Sequence, residues 1–221
     1  GEEVPQNKDG GKVEIEIEKG VRVEMVRNFC YLGDIIDVNG GVETAITRRI
    51  QKAWCKFREL RPILTRKGLA PKIKGRVYSA CVRSTMVYGS KTWPMKEEQE
   101  QKLERVEMQM VRWMCGVKLA DGIKSEELLK KLGIEAVRVV LRKGRLRWWG
   151  HVERREDMHW LKKCMKFEVE GKKPVGRPRK AWSEVIRKDM KDWGLKEEMA
   201  LNRREWRKGL RRQNGHEPLG V

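Results

Sequence analysis

The sequence is poor in the features that mark secreted, membrane-spanning and metal-stabilised proteins. Its five cysteines are odd in number and widely spaced, and none of them forms a C-x-x-C pair. This usage argues against a disulfide framework and favours a reduced, intracellular protein. No apolar run approaches the ~18 residues of a membrane span, and no secretory signal pattern is present at the start. We therefore expect a protein of the nucleus and cytoplasm with no membrane association.

Histidine is also scarce, with three in the chain. The spacing of His151, His159 and Cys164 lacks a fourth ligand and matches no structural zinc pattern. No glycine-flanked serine or cysteine nucleophile accompanies the histidines. The sequence thus predicts no catalytic residue, no metal site and no cofactor in this chain.

Positive charge is what the sequence has in excess. The 51 Lys and Arg residues outnumber 32 Asp and Glu residues, which gives a net charge of +19. Because such a chain repels itself unless a partner neutralises it, we expect a polyanionic partner: RNA, an RNA–DNA hybrid or DNA.

The densest basic stretch runs from residue 138 to residue 155 and has helical periodicity. Val137, Val140, Leu141, Gly144 and Trp148 share one face, so this face is predicted to be buried while basic side chains cover the rest. Arginine suits phosphate because its guanidinium group binds two oxygens at once. An ordinary amphipathic helix with solvated charges is the alternative. The predicted nucleic-acid-binding residues are Arg138, Arg142, Lys143, Arg145, Arg147, Trp149, Arg154 and Arg155.

The two adjacent tryptophans of this stretch receive different predictions. Trp148 continues the apolar stripe and is expected in the core, whereas Trp149 is rotated by ~100° towards the basic flank. Trp149 is therefore the candidate for stacking on a base or on an arginine plane. Packing against a neighbouring helix is the alternative for its ring.

A second basic motif, K-K-P-V-G-R-P-R-K, occupies residues 172–180. Its G-R-P-R core is similar to an AT-hook, in which arginines enter a narrow A·T minor groove, and it makes Arg177, Arg179 and Lys180 candidate contacts. A nuclear-localisation patch and a solvated linker fit the same letters.

The hydrophobic patterns predict a mainly α fold: a helical, thumb-like bundle preceded by a small N-terminal β-hairpin or sheet. Residues 12–17 and 21–26 alternate around a glycine-containing turn, and Phe29 to Ile36 can add a third strand. Asp34 and Asp37 lie three apart on that strand and face opposite sides, so they are not a metal-binding pair. Helices are predicted for residues 43–60, 71–88, 96–117, 126–132, 137–155, 182–193 and 196–210.

These patterns divide the chain as follows. Residues 1–11 are expected to be disordered, 12–41 form the β element, and 42–160 form the bundle. A basic linker at 161–181 then leads to a separate C-terminal helical module at 182–210 and a tail at 211–221.

Five sequence motifs, which follow one another in a fixed order, resemble those of one protein family. They are F-C-Y-L-G-D-I-I at Phe29, V-Y-S-A-C-V-R-S-T-M-V-Y-G-S-K-T-W at Val77, R-L-R-W-W-G-H-V-E-R at Arg145, G-R-P-R-K-A-W at Gly176, and N-R-R-E-W-R at Asn202. Together they resemble the C-terminal region of the reverse transcriptases of LINE-type (non-LTR) retrotransposons.

The resemblance implies a role. In that family the Y-L-G word marks the exit from the palm and the V-Y-G-x-x-T-W word lies in the thumb. The chain would then hold the template–primer duplex against the palm of a longer polypeptide, without reading bases. The family's Tyr-x-Asp-Asp word is not found here, so the catalytic Mg²⁺ would belong to the palm. The alternatives are a domesticated nuclear DNA-binding protein that uses the G-R-P-R-K word, and a protein-interaction scaffold.

Overall fold

The computed structural model describes residues 14–18, 21–38, 41–167 and 180–212. The chain divides into two compact units, Gly1–Ala45 and Ile46–Val221. Helices dominate and the strands lie near the N-terminus, which confirms the predicted mainly α fold with a small β element. Within the described part of the chain, no helix is both long and apolar enough to cross a membrane.

Two antiparallel hairpins make up the described β structure. Strand β1 (Glu14–Glu18) pairs with β2 (Val21–Glu24), as the alternating pattern predicts. The single third strand predicted from Phe29 to Ile36 is wrong, because this stretch folds into a second hairpin of β3 (Asn28–Tyr31) and β4 (Asp34–Asp37). The two residues between β3 and β4 both have positive φ, 48° at Leu32 and 81° at Gly33, which is the tight turn that reverses a hairpin. Leucine rarely adopts this conformation, so the amino-acid sequence does not indicate a turn at this position.

The helical part contains α1 (Glu43–Leu64), α2 (Pro71–Val77), α3 (Ser84–Met86), α4 (Glu97–Cys115), α5 (Ser125–Leu132), α6 (Val137–Glu153), α7 (Trp160–Lys166), α8 (Trp182–Asp192) and α9 (Arg203–Arg212). A π-helical turn, Tyr78–Arg83, joins α2 to α3. Short 3₁₀ segments lie at Ser90–Thr92, Leu119–Asp121 and Glu197–Ala200. The core of the bundle is apolar and includes Phe57, Tyr78, Met86, Leu103, Met110, Met114, Leu132, Val137 and Leu141.

Three helix boundaries differ from the prediction. Helix α1 continues through Pro62 to Leu64, although the proline removes one backbone hydrogen bond of the helix. Helix α7 begins at Trp160, the last residue of the predicted bundle, and continues into the stretch predicted as a linker. The predicted last helix is split in two, because the side-chain oxygen of Asn202 accepts hydrogen bonds from the backbone N–H groups of Arg204 and Glu205 and starts α9 afresh.

Helix α6 lies at the centre of this unit and packs against α4, α8, α9 and the 3₁₀ segment Ser90–Thr92. The sequence predicts a separate C-terminal module. The C-terminal helices instead share a buried cluster with α6. The cluster comprises Leu146, Trp149, Ile186, Met190, Trp193, Ala200, Trp206 and Leu210.

Helix α9 is held to α6 by Trp206. Its indole N–H donates to the carbonyl oxygen of Leu146 at 3.1 Å, and its ring lies 5.4 Å from that of Trp149. Gly150 makes this approach possible, because a Cβ atom there would lie 2.3 Å from the indole nitrogen of Trp206. The C-terminal half of α6 and helix α9 therefore form one fixed pair.

Candidate nucleic-acid interface

The cations in the N-terminal half of α6 are neutralised within the fold. Arg138 binds both oxygens of Glu104 at 2.9 Å and one oxygen of Glu97 at 2.6 Å. Arg142 lies 3.1 Å from Asp192 and 3.4 Å from Asp189. Lys143 pairs with Glu135. Since each of these charges already has a carboxylate partner, this half of α6 offers little net positive charge to a polyanion.

Arg145 is fully buried. Its Nε atom donates to Asp189 at 2.7 Å and its Nη2 atom donates to Glu100 at 2.9 Å, so it ties α6 to α8 and α4. A charge removed from water in this way must be paired to be tolerated. The prediction that Arg145 contacts nucleic acid is therefore wrong, because no part of its side chain reaches the surface.

The burial predicted for the two tryptophans of α6 is reversed. Trp149 is 6% exposed and packs on Trp206, so its ring cannot stack on a base. Trp148 is only half-buried. The buried stripe advances in steps of four residues through Val137, Leu141, Arg145 and Trp149. Periodicity places the charged Arg145 on the outward face. The predicted buried face of α6 is therefore rotated by about one residue from the buried face in the structure.

The N-terminus of α6 is anchored by Glu107 of α4. One carboxylate oxygen accepts the backbone N–H of Val137 at 2.6 Å. The other accepts from Arg83 at 2.9 Å and from Tyr78 at 3.3 Å. Tyr78 and Arg83 are five residues apart, and the i→i+5 pattern of the π turn brings them to the same carboxylate. Burial raises the pKa of Glu107 and that of Tyr78, and the network fixes the direction in which α6 runs.

The C-terminal half of α6 has a different environment. Together with α9 it borders an open groove that we call the basic groove. Its charged and aromatic lining consists of Lys91, Arg147, Trp148, His151, Arg154, Arg155, Arg203, Trp206 and Arg207. An adjoining depression on α9 is lined by Arg203, Arg204, Arg207, Lys208 and Arg211. Neither of these linings, in the part of the chain that the structure describes, contains an aspartate or a glutamate.

The pKa values within the basic groove reflect this unbalanced charge. The pKa of Arg154 is lowered by burial and by the nearby Arg203 and Arg207. The pKa of His151 is lowered by burial and then by Arg155 and Arg154, so its imidazole is neutral at pH 7. Such mutual repulsion is relieved when an anion binds, which makes the basic groove the best candidate site for phosphates.

The structure separates the predicted binding residues into distinct groups. Arg147, Arg154 and Arg155 line the basic groove, whereas the five others predicted on α6 are paired or buried inside the fold. Lys180 donates to the carbonyl oxygen of Met95 at 2.9 Å and so anchors the chain just before α8. Arg177 and Arg179 lie outside the described residues.

The predicted nucleic-acid-binding residues include none of the α9 residues that line the basic groove. Six of the ten residues of α9 are basic, and Arg203, Arg207 and Arg211 recur every four residues on one face. That density was the available signal. Trp206 lies between these arginines in the sequence and is buried, so it indicates that the opposite face of α9 packs against the protein.

Comparison with known proteins finds a similarity to a transposon-derived protein. The chain is 24% identical over 208 residues to a protein of Caenorhabditis elegans named as transposon-derived and uncharacterized, and the match covers 86% of this chain and 72% of the relative. No protein-family model and no solved structure matches the chain. The similarity agrees with an origin in a transposable element.

Proposed function

We propose that the chain is the thumb and C-terminal segment of a LINE-type reverse transcriptase, and that its basic groove holds template–primer nucleic acid through the phosphates. Two lines of evidence support this proposal. The five ordered motifs resemble those of that family, and the relative in Caenorhabditis elegans is named as transposon-derived. The chain is non-catalytic by itself in this proposal. Supplied with template, primer, nucleotides and Mg²⁺, it is expected to extend nothing, since a polymerase needs converging carboxylates to hold its metals.

The observation that carries the proposal is the convergence of cations in the basic groove without a carboxylate in its lining: Arg147 on α6, Arg154 and Arg155 just after α6, and Arg203 and Arg207 on α9. Contacts to phosphate position a protein on nucleic acid but carry no sequence information. The packing of Trp206 against α6 fixes the spacing between the two rows of arginines. A fixed basic groove of this kind suits a part that must hold any sequence.

A binding titration tests the proposal. Arg147, Arg203 and Arg207 are replaced together by alanine, and affinity for a labelled RNA–DNA hybrid is measured by fluorescence anisotropy. We expect a loss of roughly tenfold or more, because each arginine provides charge-assisted contacts to phosphate. Thermal melting of the variant checks that the fold is retained.

The matched control removes three exposed cations outside the basic groove. Replacing Arg58, Arg66 and Lys67 by alanine changes the net charge by the same amount. If the control loses as much affinity as the groove variant, overall charge accounts for binding and the groove does not. If wild-type protein binds neither the hybrid nor single-stranded RNA, the scaffold alternative takes its place.

A further inference from the structure

Two aromatic rings lie stacked in the basic groove. The rings of Trp148 and His151, one turn apart on α6, have centroids 5.4 Å apart and planes inclined by 24°. Both side chains are half-buried, and both belong to the groove lining together with Arg147 and Arg155. The basic groove therefore presents planar rings among its cations.

The position of Trp148 differs from that of the aromatic residues that build the core. Trp149 and Trp206 are buried against each other in the cluster that joins α6 to α9. Trp148 is not a member of that cluster, and the ring stacked on it comes from its own helix. The neutral imidazole of His151 extends the planar surface without adding charge.

This combination discriminates between forms of nucleic acid. Arginines hold the phosphates of any strand, but planar rings can hold only bases whose faces are free. In a duplex each base is paired and covered by its neighbours, whereas an unpaired base can stack on an aromatic side chain. We infer that the basic groove takes single-stranded nucleic acid, with an unpaired base stacked on Trp148.

This inference rests on the proposed function and makes it more specific. Within a reverse transcriptase segment, the strand in the basic groove would be one that extends beyond the template–primer duplex. The cations would supply most of the affinity. The ring of Trp148 would supply the preference for unpaired nucleotides.

The test compares three probes of about twelve nucleotides, a length within the range that one single-strand site covers. The first is a single-stranded RNA of mixed sequence, the second is its hybrid duplex with DNA, and the third is an abasic strand that keeps the sugar–phosphate backbone. We expect wild-type protein to bind the single strand more tightly than the other two probes. Trp148→Ala should lose roughly five- to hundredfold in affinity for the single strand and little for the abasic strand.

Two further variants keep the test interpretable. Trp148→Phe retains a ring and should keep most of the affinity, whereas Trp160→Ala removes an exposed indole that does not line the basic groove and should change nothing. Thermal melting confirms that each variant is folded. The inference is overturned if Trp148→Ala weakens the abasic strand as much as the natural one, or if wild-type protein prefers the duplex. Those outcomes leave the phosphate-binding groove intact, while an absence of binding to all three probes contradicts the proposed function itself.

Discussion

Gly150 lies at the closest approach of α9 to α6, and its replacement by alanine probes how the basic groove is held together. The new Cβ atom would lie 2.3 Å from the indole nitrogen of Trp206 and 2.7 Å from its Cδ1 atom. Both distances are too short, so the indole must move away from α6. Its hydrogen bond to Leu146 would be lost or stretched, and α9 would shift with it.

The magnitude follows from three contributions to the free energy of unfolding. Overpacking in a filled core costs about 1–3 kcal/mol. Loss of the indole hydrogen bond costs about 1 kcal/mol. Alanine has a higher helix propensity than glycine, which offsets about 1 kcal/mol of this loss of stability. Gly150→Ala should therefore be destabilising by ~1–3 kcal/mol, which in a unit of this size lowers the melting temperature by roughly 2–12 °C.

Gly144 provides the matched control on the same helix. A Cβ atom there would lie 3.8 Å from Cγ of Lys91, which is ordinary van der Waals contact. Gly144→Ala should therefore leave the melting temperature unchanged or raise it, because only the gain in helix propensity remains. Thermal melts of the two variants decide the matter. If Gly150→Ala is as stable as Gly144→Ala, α9 does not pack on α6 as described.

Three other predictions concern the interior and the ion pairs. Arg145→Ala removes the nearest cation from two buried carboxylates, Glu100 and Asp189, and should cost about 3–5 kcal/mol in urea unfolding. Trp149→Ala should cost ~3–5 kcal/mol, and Trp148→Ala clearly less, in the same assay. The pKa of Glu97 is lowered from 4.5, mainly by its hydrogen bond from Arg138, so the stability from this pair is complete above that pH and is lost as the pH falls below it. Glu97→Gln should flatten the acid side of a stability curve by no more than ~1 kcal/mol, because the carboxylate is exposed.

The sequence predicted the elements that depend on local patterns. The main helices and the first hairpin follow from period and alternation. The glycines at 133 and 194, both with positive φ, directly follow the predicted helices 126–132 and 182–193. The second hairpin was missed because its turn places Leu32 at positive φ. These outcomes depend on interactions between residues close in the chain.

The candidate site depends on interactions between distant residues, which explains why only part of it was predicted. The partners of Arg145 lie about 45 residues away on either side, at Glu100 and Asp189. A buried arginine cannot be distinguished from a solvated one by periodicity. The buried Arg145 therefore made the predicted buried face of α6 wrong, and with it the predicted burial of Trp148 and Trp149. The pairing of α9 with α6 was likewise beyond reach, because it depends on how Trp206 fits over Gly150.

The central claim is that the cations of α6 and α9 hold phosphates in the basic groove. The salt dependence of binding tests it most directly, because each neutralised phosphate releases counterions. For wild-type protein the plot of log K against log[salt] should have a slope of several negative units. For the variant that lacks Arg147, Arg203 and Arg207 the slope should be shallower by about 2–3. A flat response in the wild type, or an unchanged slope in the variant, would contradict the account.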